Sequence, residues 1–151
     1  MKAVFTTGLS IFMLAAVCAF PREAIAEEVN AAEAIEYLER VCNFDNNGWH
    51  STFSIASNGL IQHYRKDMEY GDYRRVKFNL RDVFNANKYH YQSFECNSSD
   101  CIEITESDGV DVESKVSSKV GFDCRGESEN HSRAFQDLIK HFGGGKKTRY
   151  D

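Results

Sequence analysis

Apolar residues recur at helical spacing between residues 28 and 42. Ala31, Ala34, Ile35, Leu38, Val41 and Cys42 fall on one stripe, while Glu33, Glu36, Glu39 and Arg40 fall off it. Asn30 followed by Glu33 has the spacing of a capping box at the start of that helix. A turn-rich run, 43–48, stops it. The rhythm then changes to alternation. Trp49, Phe53 and Ile55 alternate with polar residues, and Asn58-Gly59 is the strongest hairpin signal in the chain. A two-residue turn there pairs Ile55 with Gln62 and Phe53 with Tyr64, and places Phe53, Ile55, Leu60 and Tyr64 on a core face. Residues 73–81 form the next strand, with Val76, Phe78 and Leu80 inward. Strands at 88–96 and 101–105 follow a turn at 85–87. Val116, Ser118, Val120, Phe122 and Cys124 alternate along a last strand, and Asp108-Gly109 marks a turn before it. Residues 129–142 return to helical spacing, with Phe135, Leu138, Ile139 and Phe142 on one side and three glycines after them. The order helix, six or seven strands, helix predicts an α+β fold with an antiparallel sheet or roll, because parallel pairing needs crossover helices between strands.

The start of the chain reads as an address. Lys2 is followed by an uncharged apolar run at 9–20, then Pro21, then Ala24-Ile25-Ala26, the pattern of a secretory signal peptide cleaved after residue 26. The run is shorter than the roughly 20 residues a membrane span needs, so no transmembrane anchor is expected after processing. The expected organisation is a leader at 1–26, a single disulfide-containing domain at 27–142 and a flexible charged tail at 143–151. Periplasmic or secreted localisation follows.

Export changes the reading of the cysteines. Cys18 leaves with the leader, and Cys42, Cys96, Cys101 and Cys124 remain. An even number in an oxidising compartment argues for disulfides, and four cysteines allow three pairings. Cys96–Cys101 is preferred because the two flank a short polar turn. Cys42–Cys124 then ties the first helix to the last strand. A metal site is the rival, but Cys96-x4-Cys101 lacks the CxxC spacing of common zinc sites.

The strand-rich middle closed by an amphipathic helix resembles small exported bacterial domains with a pleckstrin-homology-like roll. The residues carrying the resemblance are Phe78-Asn79-Leu80-Arg81-Asp82-Val83, Cys96 to Cys101-Ile102-Glu103-Ile104, and Ala134-Phe135-Gln136-Asp137-Leu138-Ile139. It covers about the last hundred residues and holds no functional motif. Such folds usually serve as binding platforms, which is what the resemblance implies; it assigns no site residue.

The formal net charge is −5, and loss of Lys2, Arg22 and Glu23 with the leader makes it one unit more negative. An acidic domain of this kind is a poor nucleic-acid binder. The charges are unevenly spread. Residues 65–88 hold Arg65, Lys66, Arg74, Arg75, Lys77, Arg81 and Lys88, whereas 89–114 hold seven acids and no Lys or Arg. Neighbouring strands should therefore present a basic and an acidic region able to steer a charged partner. Tyr70, Tyr73, Tyr89 and Tyr91 lie among or beside the basic group, and aromatic residues with Arg are what binding hot spots favour. The partner-binding candidates are Arg74, Arg75, Lys77, Arg81, Tyr73 and Tyr89.

Catalytic chemistry finds little support. His50, His63, His90, His131 and His141 form no HExxH, and neither GxSxG nor CxxC occurs. His63 faces Ser54 in the predicted hairpin, which lacks the orienting group of a triad. His131 falls on the last helix's apolar stripe as a packing residue. Residues 43–48 faintly follow calcium-loop spacing, but Ser54 stands where such a loop needs a bidentate Glu. No cofactor is expected. The sequence points to a non-enzymatic exported domain that binds a protein or envelope component, such as an inhibitor or immunity-type partner. The alternatives are a small secreted hydrolase with a cryptic Ser/His site and a carrier of small molecules.

Overall fold

The computed structural model describes residues 22–85 and 92–145. The predicted leader lies outside the described residues as far as residue 21, as do Tyr89, the turn beyond Asn85 and the tail from residue 146. Ala, Glu and Arg dominate the stretch after Pro21, and neither Gly nor Pro interrupts it. It forms one helix, α1 (Arg22–Cys42), that begins ahead of the predicted start. Asn30 and Glu33 are consequently an interior pair rather than a capping box.

In chain order, α1 is followed by β1 (Phe44–Asn46), β2 (Trp49–Ile55), β3 (Leu60–Asp67) and β4 (Tyr73–Asn79). A 3-10 turn at Leu80–Asp82 leads to β5 (Val83–Asn85), β6 (Gln92–Cys96), β7 (Ile102–Ser107), β8 (Val112–Ser117) and β9 (Lys119–Phe122), and the chain closes on α2 (Ser128–His141). The fold is α+β. Among the described residues it holds an antiparallel six-stranded sheet, order β1-β2-β3-β4-β7-β8, and a three-stranded sheet, order β5-β6-β9.

The two-residue hairpin expected at Asn58-Gly59 is found instead at Asn47-Gly48. Asn47-Gly48 makes the two-residue hairpin between β1 and β2, both residues at positive φ (+47° and +84°) and Asn46 opposite Trp49. Asn58-Gly59 belongs instead to a three-residue loop: Gly59 N–H donates to Ala56 O (2.8 Å), Ala56 N–H donates to Leu60 O (2.9 Å), and Gly59 has φ +80°. The loop is fixed from outside. Leu80 N–H donates to Gly59 O, Asn79 Nδ2 donates to Asn58 O, and Phe142 covers Gly59 so closely that an added Cβ would stand 2.8 Å from its ring. One extra loop residue moves the register by one. Phe53 pairs with His63 rather than Tyr64, and Ile55 with Ile61 rather than Gln62. The core face of this hairpin is therefore Phe53, Ile55, Ile61 and His63; Leu60 and Tyr64 are only half-buried.

The predicted last strand is two strands. β8 pairs with β7 in the large sheet and β9 with β6 in the small one, and the chain changes sheets at Ser118. Ser117 holds the change, its Oγ donating to Lys119 O and accepting from Lys119 N–H. Val116 thereby falls on the exposed side of the break, while Val120 and Phe122 are buried.

Between the sheets and α2, Phe53, Phe94, Phe122 and Phe135 pack with ring centroids 5.0–5.9 Å apart. Leu38, Ile61, Val76, Phe78, Leu80 and Ile102 surround them, all buried. At the end of α2, Gly143 N–H donates to Lys140 O and Gly144 N–H to Ile139 O, with Gly143 at φ +77°, the Schellman arrangement. Gly145 N–H then donates to Val83 O. The glycines expected at the head of a free tail are thus tied to the fold.

Both preferred disulfides are present. Cys42–Cys124 has a Cα–Cα distance of 4.2 Å and Cys96–Cys101 one of 5.8 Å. Their sequence separations, 82 and 5, differ greatly, so their effects on the unfolded chain should too. Replacing Cys42 and Cys124 together by Ala is expected to lower the unfolding free energy by about 4 kcal/mol, against about 2 kcal/mol for Cys96 and Cys101. Urea unfolding of the two double variants measures this; equal losses would contradict it.

Candidate functional site

Strand alternation sends every second residue of the large sheet to its inner face. Toward one end that face changes character on four strands at the same level. The row Phe53, His63, Val76, Ile104 is succeeded by the row Ser51, Arg65, Arg74, Glu106. The apolar core ends there, and a cavity of about 470 Å³ opens over the second row. Trp49 bounds it on β2, and Gly121, Phe122 and Asp123 bound it from β9 and the residue that follows.

Arg65 and Arg74 are cross-strand neighbours, and both line this cavity. Arg65 lies over the Trp49 ring at 4.2 Å, and its Nη1 is 3.6 Å from Asp123 Oδ2. Arg74 Nη1 donates to Gly121 O (3.3 Å), and its Nε lies 3.0 Å from Glu106 Oε1, close enough for an ion pair but off the axis of a hydrogen bond. Each side chain is a little over a third exposed. Lys115 Nζ donates to the other oxygen of Glu106 at 2.7 Å. That bond, opposed by partial burial and aided by the charges of Lys115 and Arg74, holds the Glu106 carboxyl below the usual range.

The floor is His63, stacked on Phe122 with a centroid separation of 4.7 Å. Its Nε2 is 3.1 Å from Ser51 Oγ, and Ser51 Oγ donates to Cys42 O (3.0 Å). The hydroxyl has one proton, and Cys42 O takes it. His63 must then donate from Nε2, which makes Nδ1 the unprotonated nitrogen, buried and without a hydrogen-bond partner. A serine nucleophile needs the opposite polarity, with the hydroxyl giving its proton to an imidazole oriented by a third group. This buried pair is structural. The predicted hairpin opposes His63 to Ser54; the one-residue register difference leaves Ser54 exposed on the far face and brings Ser51 into the bond.

The six partner-binding candidates do not share one surface. Arg74 turns into the cavity. Arg75 and Lys77 alternate to the outer face, where Arg75 lies 5.8 Å from the Tyr64 ring and the rings of Tyr73 and Tyr64 are 5.7 Å apart. Arg81 stands on the 3-10 turn, with its Nε donating to Asn79 Oδ1. Tyr89 lies outside the described residues. Basic β4 does lie beside acidic β7, but in register, with Arg74 opposite Glu106 and Lys77 opposite Glu103. Two basic and two acidic residues of the anticipated bipolar surface thus meet across one seam. His131 is buried on α2, 5.9 Å from Tyr37, and burial lowers its pKa. Among the described residues no three His, Cys, Asp or Glu side chains are placed to hold a metal, and no helix is long and apolar enough to cross a membrane.

Burial first, then the charges of Arg74 and Arg65, lower the His63 pKa from 6.5 to about 4. Between those values the unfolded chain binds a proton that the folded chain refuses. The contribution of the neutral ring is therefore complete above pH 6.5 and is lost as pH falls, by about 3 kcal/mol at pH 4. Unfolding free energies of wild type and His63→Gln, measured from pH 7 to pH 4, should show the variant losing about that much less. Parallel curves would contradict the assignment. Comparison with protein-family models, curated proteins and solved structures finds no match.

Proposed function

We propose that the chain is an exported binding domain without catalysis of its own. Its contact site is the cavity between Trp49, Arg65 and Arg74, and its partner is a protein or envelope component that presents an acidic group there. One observation carries this reading: two cross-strand arginines line the same cavity, both partly exposed, Arg65 on an indole face and each paired with a carboxylate at the solvent edge. An incoming carboxylate can displace Asp123 or Glu106 from a preformed pair of donors, and Trp and Arg are the side chains that dominate contact energetics. An inhibitor or immunity-type partner of an envelope protein is the concrete version. The leader-like pattern at 1–26 and the two disulfides support periplasmic or secreted localisation. The resemblance to exported pleckstrin-homology-like rolls belongs to the same reading, and a strand-rich middle closed by α2 is in keeping with it.

The carrier reading has one observation in its favour. About 470 Å³ lies within the roughly 300–1,000 Å³ typical of small-molecule sites. The hydrolase reading has the Ser51–His63 distance, but burial and proton direction oppose it.

The experiment is capture from envelope extract by the oxidised protein. Arg65→Ala with Arg74→Ala, and Trp49→Ala separately, are expected to weaken capture at least tenfold. Arg75→Ala with Lys77→Ala should leave it within about twofold of wild type. The arginine changes remove solvent-edge ion pairs worth about 0–1 kcal/mol each, so the fold should persist. Undiminished capture by the inner variants, or loss with the outer ones, would reject the cavity as the contact site.

A further inference from the structure

Among the described residues the large sheet has two edge strands. One is β1, three residues long. The other is β8, six residues long, free of Gly and Pro, and exposed from Val112 to Val116. Val112 and Val116 are 62% and 60% exposed, large values for valines in a strand. An edge of this length offers a row of backbone donors and acceptors to another strand.

We infer that β8 pairs with β8 of a second copy of this chain, antiparallel about a twofold axis at Ser114. The inference is independent of the cavity reading. Its basis is register. A twofold axis perpendicular to the sheet keeps each side chain on its own face, so a symmetric antiparallel pair must be centred on a residue. Two centres engage five of the six residues of β8. Centring on Lys115 sets that lysine against its own copy, and like charges directly opposite are destabilising. Centring on Ser114 sets Glu113 against Lys115 of the second copy, and Lys115 against its Glu113. The same register sets Val112 against Val116 twice.

The two faces agree with this arrangement. Glu113 and Lys115 lie on the inner face, where they oppose Glu106 and Ile104 of β7. Lys115 is already bound to Glu106 and would bridge it to the incoming Glu113. Val112, Ser114 and Val116 share the outer face, where Ser114 Oγ is 3.2 Å from Thr105 Oγ1. A lysine in an edge strand ordinarily deters pairing. Here the twofold axis supplies its counter-ion, which favours the chain's own copy over an arbitrary strand. The result is one continuous sheet through both molecules.

Sedimentation of the full oxidised protein tests this. Wild type is expected to form dimers as concentration rises toward ~100 µM. Glu113→Lys alone and Lys115→Glu alone each turn both symmetric ion pairs into like-charge pairs. Each should weaken self-association by roughly tenfold or more. The double variant Glu113→Lys/Lys115→Glu should recover it. An equimolar mixture of the two single variants should form heterodimers, which also shows that both are folded. A wild type that stays monomeric throughout overturns the inference, and so do single variants that self-associate like wild type or a mixture that does not associate.

Discussion

Both walls of the cavity hang on one covalent link, the Cys42–Cys124 bridge. Cys42 ends α1, and its carbonyl takes the proton of Ser51, whose oxygen in turn receives the His63 Nε2 proton. Cys124 follows Asp123, the carboxylate that faces Arg65. The next residue strengthens the clamp. Arg125 N–H donates to Val41 O (2.8 Å), and its guanidinium lies 5.0 Å from the Phe44 ring and donates to Asp45 O. The end of the first helix and the exit of the last strand are thereby held as one unit, with the polar row of the large sheet facing it.

That clamp explains how an acidic domain keeps two arginines beside a buried, neutral imidazole. Desolvation and the neighbouring guanidinium charges both act against protonation of His63, so the ring supplies a flat, uncharged floor against Phe122. The guanidinium groups are in turn neutralised by Asp123 and by Glu106, itself kept ionised by Lys115. The site is a small network of three cations and two carboxylates built on the polar end of an apolar face, with Trp49 as its aromatic wall.

Features that depend on local period were legible in the sequence. The stripe of α1, the inward set Val76, Phe78 and Leu80, the stripe of α2 and the glycine stop after it follow from spacing alone. Both disulfides followed from the turn between Cys96 and Cys101 and the even count. Features set by tertiary contact were not legible. Asn58-Gly59 reads as a two-residue turn until Phe142, Leu80 and Asn79 close on it, and the resulting slip decides which serine meets His63. Alternation from Val116 to Cys124 carries no mark of the change of sheet at Ser118, because period two is the same in either sheet. Arg74 and Arg75 read as one basic group because they are neighbours in sequence, but strand alternation puts them on opposite faces of the sheet.

The Cys42–Cys124 bridge orders the Ser51–His63 contact beneath the cavity. The ring-nitrogen NMR spectrum of His63 at neutral pH, in the oxidised protein and in the Cys42→Ala/Cys124→Ala variant, tests it directly. The oxidised protein should show a neutral ring protonated at Nε2 and slow to exchange, with that protection lost in the variant. A ring protonated at Nδ1 in the oxidised protein, or the same spectrum in both, would contradict it.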